Sequence, residues 1–225
     1  MQEFLLDHTH INETNKKGIY FFTALLNRSC IAQKYRKFFY DFYLRSQNKE
    51  KLIFIDGGAH AGVFSDVALA CGGICYAFEP NIHLYAFLKN LYKDNKNLIL
   101  FNKALSNKNG KTFFQTDDNI VSDGGNILKT DFNGENFYEV ELINFCEFLS
   151  EILKKEEKIT LIKLDIEGAE FDILNDLIDQ KLYKKIEYIM VEIHERFFND
   201  GIQKINLLKE KIRKNNITNI FLDWI

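Results

Sequence analysis

The sequence predicts an α/β fold in which helices cover both faces of a mostly parallel, doubly wound sheet. Short apolar runs, such as LIFID (52–56) and ITLIKLD (159–165), are bounded by charged residues or glycine, which is typical of buried strands. These runs alternate along the chain with longer segments that have helical spacing. Because strands that alternate with helices form βαβ units, we expect a parallel sheet of the Rossmann type.

The strands are predicted from apolar runs that are bounded by glycine, proline or charge. They cover 52–56, 73–80, 98–104, 111–115, 138–143, 159–165 and 185–194, and the chain closes on an apolar segment over 217–225. Residues 116–136 are rich in turn residues and too many for a simple connection. A segment of that length favours a lid, a binding loop or disorder.

The helices are predicted from apolar residues at helical spacing. The first 17 residues show no clear period, but residues 20–43 fit one long helix or two short ones. Further helices are expected over 63–70, 81–91, 144–155, 168–180 and 202–214. Asn81 stands at the start of the segment over 81–91 and has a side chain that caps helices well.

The chain length allows one large domain or two small ones. At about 150 residues per domain, 225 residues correspond to about 1.5 domains. No repeat is visible, and no linker is long enough to separate two domains. We therefore predict an N-terminal helical extension over residues 1–48 that packs on a main domain over residues 49–225.

Composition and charge exclude several classes of protein. Hydrophobic residues make up 46% of the chain, which is enough for a sizeable core, and the net charge of −3 argues against a dedicated nucleic-acid binder. No apolar run approaches the roughly 18–20 residues of a membrane span. The N-terminus lacks the features of a secretory signal, so we expect reduced cysteines and a cytoplasmic protein.

A glycine-rich turn, DGGAHAG (56–62), follows the first predicted strand and leads into a helix. Glycine allows a positive φ and lets a ligand approach the backbone closely. A dinucleotide-binding turn would read G-x-G-x-x-G, whereas here Asp56 precedes two adjacent glycines. Because an acid would repel a pyrophosphate, the turn favours a ligand that carries an amine. A tight strand–helix turn without a ligand is the alternative.

Two polar residues lie near the ends of the next two predicted strands. Glu79 ends the second strand, where an acid accepts hydrogen bonds from both hydroxyls of a ribose. The alternative for Glu79 is a solvated helix start before Pro80. Asn102 lies near the end of the third strand, where its amide would contact the edge of an adenine or would stabilise a turn.

Four ionisable residues end two later strands. Asp165 and Glu167 are two apart in KLDIEGAE, and Glu192 and His194 are two apart in VEIHE. Side chains at i and i+2 of an extended segment share one face, and α/β sheets bind ligands at the carboxyl ends of their strands. Because a buried charge is costly unless it is paired or bound, the four residues predict a functional site. An internal arrangement of salt bridges and helix caps is the alternative.

Five segments together resemble a known family. IDGGAHAG, YAFEPN, NKALSNKNG, KLDIEGAEFDIL and VEIHE stand in the order and at the spacing of the FkbM-type family of S-adenosylmethionine-dependent methyltransferases, and the resemblance covers roughly residues 50–195. It implies the seven-stranded, Rossmann-like sheet of class I methyltransferases. It also implies that S-adenosylmethionine is the cosubstrate. The resemblance implies that Asp56, Gly58 and Gly62 shape the methionine end of the cofactor site, that Glu79 holds the ribose and that Asn102 lies near the adenine. Gly57, His60 and Pro80 complete the cofactor-binding residues.

The resemblance implies methyl transfer to a hydroxyl, because known members mostly methylate oxygens of sugars and polyketide-type products. We expect a sugar acceptor, in particular a nucleotide-linked sugar for a surface glycan. Such a hydroxyl needs a base, and His194, with an ordinary pKa of about 6.5, suits that role. Glu192 or Asp165 would stabilise the resulting imidazolium, and Glu167 completes the catalytic set.

A second mechanism uses a metal ion in place of the histidine base. Asp165 and Glu192, with or without His194, would hold a divalent cation such as Mg²⁺ or Mn²⁺, which acidifies the hydroxyl. The sequence leaves both mechanisms open.

Other functions fit parts of the sequence. They include a methyltransferase acting on an amine or on a polyketide- or lipid-like hydroxyl, a non-catalytic nucleotide-binding module, and an NAD-type oxidoreductase, which Asp56 disfavours. The N-terminal segment and residues 116–136 match no motif of the family, so we expect acceptor specificity there. The aromatic residues within 38–43 would suit a homodimer face or an acceptor wall, although packing on the main domain is their expected use.

Overall fold

The computed structural model describes residues 13–29, 31–115 and 137–224. The predicted loop over 116–136 lies outside the described residues, as does the beginning of the predicted N-terminal extension. Within the described part of the chain the strands are β1 (Ile53–Gly57), β2 (Ile74–Phe78), β3 (Leu98–Phe101), β4 (Ala104–Ser106), β5 (Gly110–Gln115), β6 (Phe137–Asn144), β7 (Ile159–Leu164), β8 (Ile186–Val191) and β9 (Ile220–Phe221).

The larger of two sheets confirms the predicted α/β fold. Its strand order is β3–β2–β1–β7–β8–β9, and all neighbouring pairs are parallel. The chain proceeds outward from β1 first in one direction and then in the other, so the order reverses between β1 and β7. The carboxyl ends of strands at such a reversal form the crevice in which open α/β sheets bind ligands.

The larger sheet has six strands, whereas the family resemblance implied seven. The predicted strand over 98–104 is divided, because β3 ends in the larger sheet and β4 belongs to a second sheet of order β4–β6–β5. Asn102 lies at the division, and its side-chain amide donates hydrogen bonds to the carbonyls of Glu79 and Pro80 at 2.9 and 3.1 Å. These bonds hold the chain in a turn where a longer strand was predicted.

The helices of the described residues are α1 (Glu13–Arg28), α2 (Arg36–Gln47), α3 (Val63–Ala70), α4 (Ile82–Leu91), α5 (Phe145–Leu153), α6 (Glu170–Asp179) and α7 (Gly201–Lys214). Residues 20–43 thus contribute to two helices, and the first begins earlier than predicted. Asn81 caps α4 as predicted, because its side-chain oxygen accepts hydrogen bonds from the amides of His83 and Leu84. None of the helices described here is long and apolar enough to cross a membrane.

Strand side chains supply two cores on opposite faces of the larger sheet. Ile53 and Ile55 of β1 belong to one core, to which α5, α6 and α7 contribute. Phe54 belongs to the other core, to which α1, α2 and α3 contribute. Because side chains alternate across a strand, an apolar run such as that of β1 is buried on both faces.

Helix α2 packs its aromatic side chains against the larger sheet. The ring of Phe42 makes edge contacts with Phe54 of β1 and Tyr188 of β8, and both pairs of ring centroids are 5.6 Å apart. At the end of the helix, Arg45 forms ion pairs with Glu50 at 2.6 Å and Glu187 at 2.8 Å. This face of α2 is therefore continuous with the core of the sheet.

We expect Phe42→Ala to lower the free energy of unfolding by about 3–5 kcal/mol, because it leaves a cavity among buried rings. The matched control is Phe21→Ala on α1, where the ring is 78% exposed, and its effect should stay below about 0.5 kcal/mol. Urea unfolding followed by circular dichroism measures both variants. Equal effects of the two substitutions would contradict the role of α2 in the core.

Candidate functional site

A cavity of about 410 Å³ opens at the carboxyl ends of β1, β2, β7 and β8. It is bordered by the turn after β1, by the residues that follow the other three strands, and by side chains from both ends of the described chain. The lining residues include Ser29, Ile31, Gly58, His60, Glu79, Pro80, Phe114, Lys163, Asp165, Glu167, Glu192 and Trp224. A volume of this size is in the range of small-molecule sites.

Gly58 fixes the shape of the turn after β1. Its φ is +75°, and a Cβ atom there would lie 1.9 Å from the carbonyl oxygen of Asp165. The turn thus touches the end of β7 so closely that only glycine fits. Gly62 also has a positive φ, +85°, and a Cβ there would lie 2.6 Å from the hydroxyl oxygen of Tyr92. His60 between them has a φ of 49°, which is unusual for a residue other than glycine.

A buried lysine is the ionic partner of Asp56. Asp56 is fully buried, accepts a hydrogen bond from the Ser65 hydroxyl at 2.7 Å, and lies 3.3 Å from Nζ of Lys163. Burial lowers the pKa of Lys163, but Asp56 and then Asp165 outweigh it and hold that pKa above its ordinary value. Asp56 is not among the residues that line the cavity. The amine beside Asp56, which the sequence predicted to belong to a ligand, is therefore the side chain of Lys163.

Lys163 also binds the glycine-rich turn. Its ammonium donates hydrogen bonds to the carbonyl oxygens of Gly57 and Gly58 at 3.1 and 2.5 Å. It lines the cavity and lies 3.5 Å from Asp165. Sequence analysis did not single out Lys163, although a lone charged residue inside the apolar run ITLIKLD was a signal of a special role.

Glu79 lines the cavity and is held by two backbone amides. Its Oε2 accepts a hydrogen bond from the amide of His60 at 2.6 Å, and its Oε1 accepts one from the amide of Asn81 at 2.8 Å. Burial raises the pKa of Glu79 to about 7, although these two hydrogen bonds oppose the rise. A carboxylate has about four acceptor positions, so two remain for a ligand.

Asn102 and Pro80 differ in their position relative to the cavity. Pro80 lines the cavity, whereas Asn102 does not. The amide of Asn102 is bound to the carbonyls of Glu79 and Pro80, which corresponds to the turn-stabilising alternative. Asn102 therefore positions the backbone that carries Glu79, and its contact with an adenine stays a prediction.

Three carboxylates, which we call the acidic wall, line the cavity after β7 and β8: Asp165, Glu167 and Glu192. Burial, and then the charge of Asp165, raises the pKa of Glu192 above its ordinary value. Glu167 has a left-handed φ of 58°, and its Oε2 is buried without a hydrogen-bond partner in the described part of the chain. The guanidinium of Arg196 lies 3.9 Å from that Oε2, which is beyond hydrogen-bond distance. Strained residues and buried groups without a hydrogen bond cluster at functional sites.

His194 is buried beside the acidic wall and does not itself line the cavity. Its Nε2 lies 3.5 Å from Glu167, 3.7 Å from Asp165 and 3.8 Å from Glu192, and its Nδ1 lies 2.8 Å from the buried Glu170. Burial lowers the pKa of His194, but the contact with Glu167 and the hydrogen bond to Glu170 outweigh it and raise the pKa to about 10. At neutral pH the ring is therefore protonated. A protonated, buried imidazole argues against the role of base that the sequence suggested.

Part of this cluster also fits a cation. Asp165, Glu167 and His194 each offer one ligand atom, and these atoms lie within 4.8 Å of one another. Glu192, which the sequence paired with Asp165 as a metal ligand, is not part of that group. Glu170 binds Nδ1 of His194 in the same way that a carboxylate commonly binds and orients a metal-binding histidine. The binding of Mg²⁺ or Mn²⁺ stays a prediction.

Comparison with known families identifies the chain. The sequence profile described as the Methyltransferase FkbM domain matches residues 56–218. The chain belongs to the FkbM methyltransferase family. Its structure is similar to the crystal structure of Methyltransferase FkbM from Methylobacillus flagellatus KT, with 13% sequence identity and a TM-score of 0.44. The similarity covers 88% of this chain and 52% of that one, so this chain spans about half its length. No curated protein matches the chain significantly.

The FkbM match contains every site residue predicted from the sequence, whereas three residues lining the cavity fall outside it. Ser29 and Ile31 precede the match, in the region where we expected acceptor specificity. Trp224 follows it, and sequence analysis missed this residue because one tryptophan in an apolar terminal segment is typical of a core. The described cavity therefore combines the FkbM region with both flanking segments.

We expect Lys163→Met to destabilise this member of the FkbM methyltransferase family by about 3–5 kcal/mol, because it leaves Asp56 buried without its cation. Adding Asp56→Asn should recover part of the loss, because the double variant no longer buries an unpaired charge. Urea unfolding of the wild type, both single variants and the double variant gives the coupling energy. Purely additive effects would show that the two side chains do not depend on each other.

Proposed function

We propose that this chain is an S-adenosylmethionine-dependent O-methyltransferase that acts on a carbohydrate hydroxyl, in particular on a nucleotide-linked sugar for a surface glycan. The observation that carries the proposal is one cavity that Glu79 and the acidic wall both line. A methyltransferase that acts on a hydroxyl needs a place for the methyl donor and, within reach of it, a proton acceptor. The cavity of this FkbM family member offers carboxylates for both tasks.

Glu79 is the proposed ribose-binding residue. Its two amide hydrogen bonds leave acceptor positions for the two hydroxyls of a ribose. The strained turn that contains Gly58 and His60 lines the same cavity, so its backbone is within reach of the methionine part of the donor. Asp56 supports this turn indirectly, through Lys163.

Glu192 is the proposed base. It lines the cavity, its side chain is 30% exposed, and its Oε1 is 3.8 Å from Nε2 of His194, too far for a hydrogen bond. Asp165, in contrast, lies 3.5 Å from the ammonium of Lys163 and 3.7 Å from Nε2 of His194, so two cationic groups already contact it. In the reaction the sulfur–methyl bond breaks, the oxygen–methyl bond forms, and the hydroxyl proton passes to Glu192. The sulfonium leaves as a neutral thioether.

His194 is the proposed positioning residue of the acidic wall. Its buried positive charge lies within 4 Å of all three carboxylates and reduces the repulsion between them. Glu170 fixes the orientation of the ring through Nδ1. This arrangement keeps several carboxylates at one edge of the cavity, where they accept hydrogen bonds from the hydroxyls of a sugar.

A divalent cation would change the proton transfer but not the methyl donor. Asp165, Glu167 and His194 would hold it, with the cation replacing the proton on Nε2 of His194, and it would acidify the acceptor hydroxyl. An amine acceptor is a second candidate, because the negative charge of the acidic wall attracts a cationic substrate. The choice of a sugar rests on the family resemblance.

We expect the protein to bind S-adenosylhomocysteine in titration calorimetry, and Glu79→Gln to weaken that binding about tenfold or more. Because the pKa of Glu79 is about 7, its carboxylate gains charge between about pH 6 and 8. Ribose hydroxyls donate more strongly to the charged form, so the affinity of the wild type should rise over this range. Glu79→Gln should remove the rise.

Glu210→Gln is the matched control for this titration, because Glu210 lies on α7 at an exposed position and pairs with Lys214. It should keep the affinity and the pH dependence of the wild type. A wild type that does not bind S-adenosylhomocysteine would refute the proposed cosubstrate.

We expect Glu192→Gln to lower kcat about 10²–10⁴-fold while the affinity for S-adenosylhomocysteine stays within about twofold. Glutamine keeps the size of the side chain but removes its basicity. Transfer of a labelled methyl group to a panel of sugar nucleotides, amines and lipid-like alcohols measures kcat and also tests the acceptor class.

Each result of this assay separates two mechanisms or two acceptors. An unchanged kcat in Glu192→Gln would exclude Glu192 as the base. Loss of wild-type turnover in a chelator, with recovery on addition of Mg²⁺ or Mn²⁺, would favour the cation mechanism. Turnover on amines alone would replace the sugar in the proposal.

A further inference from the structure

Trp224 carries a buried donor that the proposed function does not yet use. It is 4% exposed and lines the cavity. Its indole Nε1 is buried and has no hydrogen-bond partner within residues 13–29, 31–115 and 137–224. Buried donors without an acceptor are rare, because they lose their water without gaining a partner. A ligand in the cavity is one way to satisfy this donor.

Contacts with the N-terminal segment hold Trp224 in place. Its carbonyl oxygen accepts a hydrogen bond from the amide of Ala32 at 2.8 Å. The neighbouring Asp223 accepts hydrogen bonds from the side chains of Lys34 and Tyr35. The end of the described chain is therefore fastened to the segment that also places Ser29 and Ile31 at the cavity. The unpaired indole belongs to an anchored wall of the site.

Other groups around the indole favour an anion. Phe64, whose ring centroid is 6.3 Å from that of Trp224, lies in the first turn of α3. The amides of a first turn lack acceptors within the helix, and the positive end of the helix dipole lies there. The ammonium of Lys163 is 5.8 Å from the centre of the indole ring. Of the acids whose charges act on that ammonium, Asp56 is buried and bound to Ser65, whereas Asp165 and Glu79 line the cavity.

We propose that the indole N–H of Trp224 donates a hydrogen bond to the carboxylate at the amino-acid end of the methyl donor. The inference rests on the proposed function, because it assigns one end of S-adenosylmethionine to this wall. It accounts for the unpaired donor and for a cavity that includes residues beyond the FkbM match. The segments at both ends of the described chain would thus complete the cosubstrate site.

The test compares two ligands that differ by the carboxylate alone, S-adenosylmethionine and its decarboxylated form. Trp224→Phe removes the N–H and keeps an aromatic ring beside Phe64. In calorimetry we expect this variant to bind S-adenosylmethionine about tenfold to a hundredfold more weakly, because a hydrogen bond to a charged group is lost. Its affinity for the decarboxylated ligand should stay within about twofold of that of the wild type.

Phe221→Leu is the control, because it alters β9 in the same terminal segment and Phe221 does not line the cavity. It should bind both ligands as the wild type does. Equal weakening of both ligands by Trp224→Phe, or no weakening of either, would overturn the inference.

The wild type provides a measurement that does not depend on the folding of any variant. If it binds the decarboxylated ligand as tightly as S-adenosylmethionine, the inference is wrong although the proposed function stands. If it binds neither ligand, the proposed function fails as well. The two failures are therefore distinguishable.

Discussion

The shape of the cavity depends on the buried ammonium of Lys163. From β7 it reaches the carbonyls of Gly57 and Gly58 and compensates the charge of Asp56, which no water reaches. The amide of Asp165 donates to the carbonyl of Gly57 at 3.1 Å, so the strand ends are also joined through the backbone. One cation thus ties the turn that approaches a ligand to the strand that begins the acidic wall. The buried ammonium is tolerated because Asp56 compensates its charge and two carbonyl oxygens accept its hydrogen bonds.

The carboxylates around the cavity differ because their neighbours differ. Glu79 is buried and bound by two backbone amides, and burial dominates its pKa. The acidic wall instead has several negative groups around one imidazolium, so mutual charge and hydrogen bonding matter as much as burial. In the proposed function the same type of side chain would serve two tasks, binding of neutral hydroxyls at Glu79 and acceptance of a proton at Glu192. This division of roles is what the proposed methyl transfer requires.

The segments that flank the FkbM region contribute directly to the site. Helix α2 is packed into the core by Phe42, and the chain that precedes it places Ser29 and Ile31 at the cavity. The contacts of Asp223 and Trp224 with residues 32–35 then join the two ends of the described chain. A family profile that begins at residue 56 describes the machinery at the strand ends without these contacts. The cavity lining that these segments add consists of residues that the profile does not include.

Local patterns in the sequence were sufficient to predict the fold class, most helices and strands, and the Asn81 cap. Hydrophobic periodicity, and the residues that bound each segment, depend on the local backbone conformation. They also located the strand ends that form the cavity. They did not reveal the turn at Asn102 that divides the strand over 98–104, the pairing of Asp56 with Lys163, or the charge of His194. Each of these depends on side chains from distant parts of the chain. Protonation and ion pairing are set by distance and burial in three dimensions, and those quantities exist only once the strands and helices have packed.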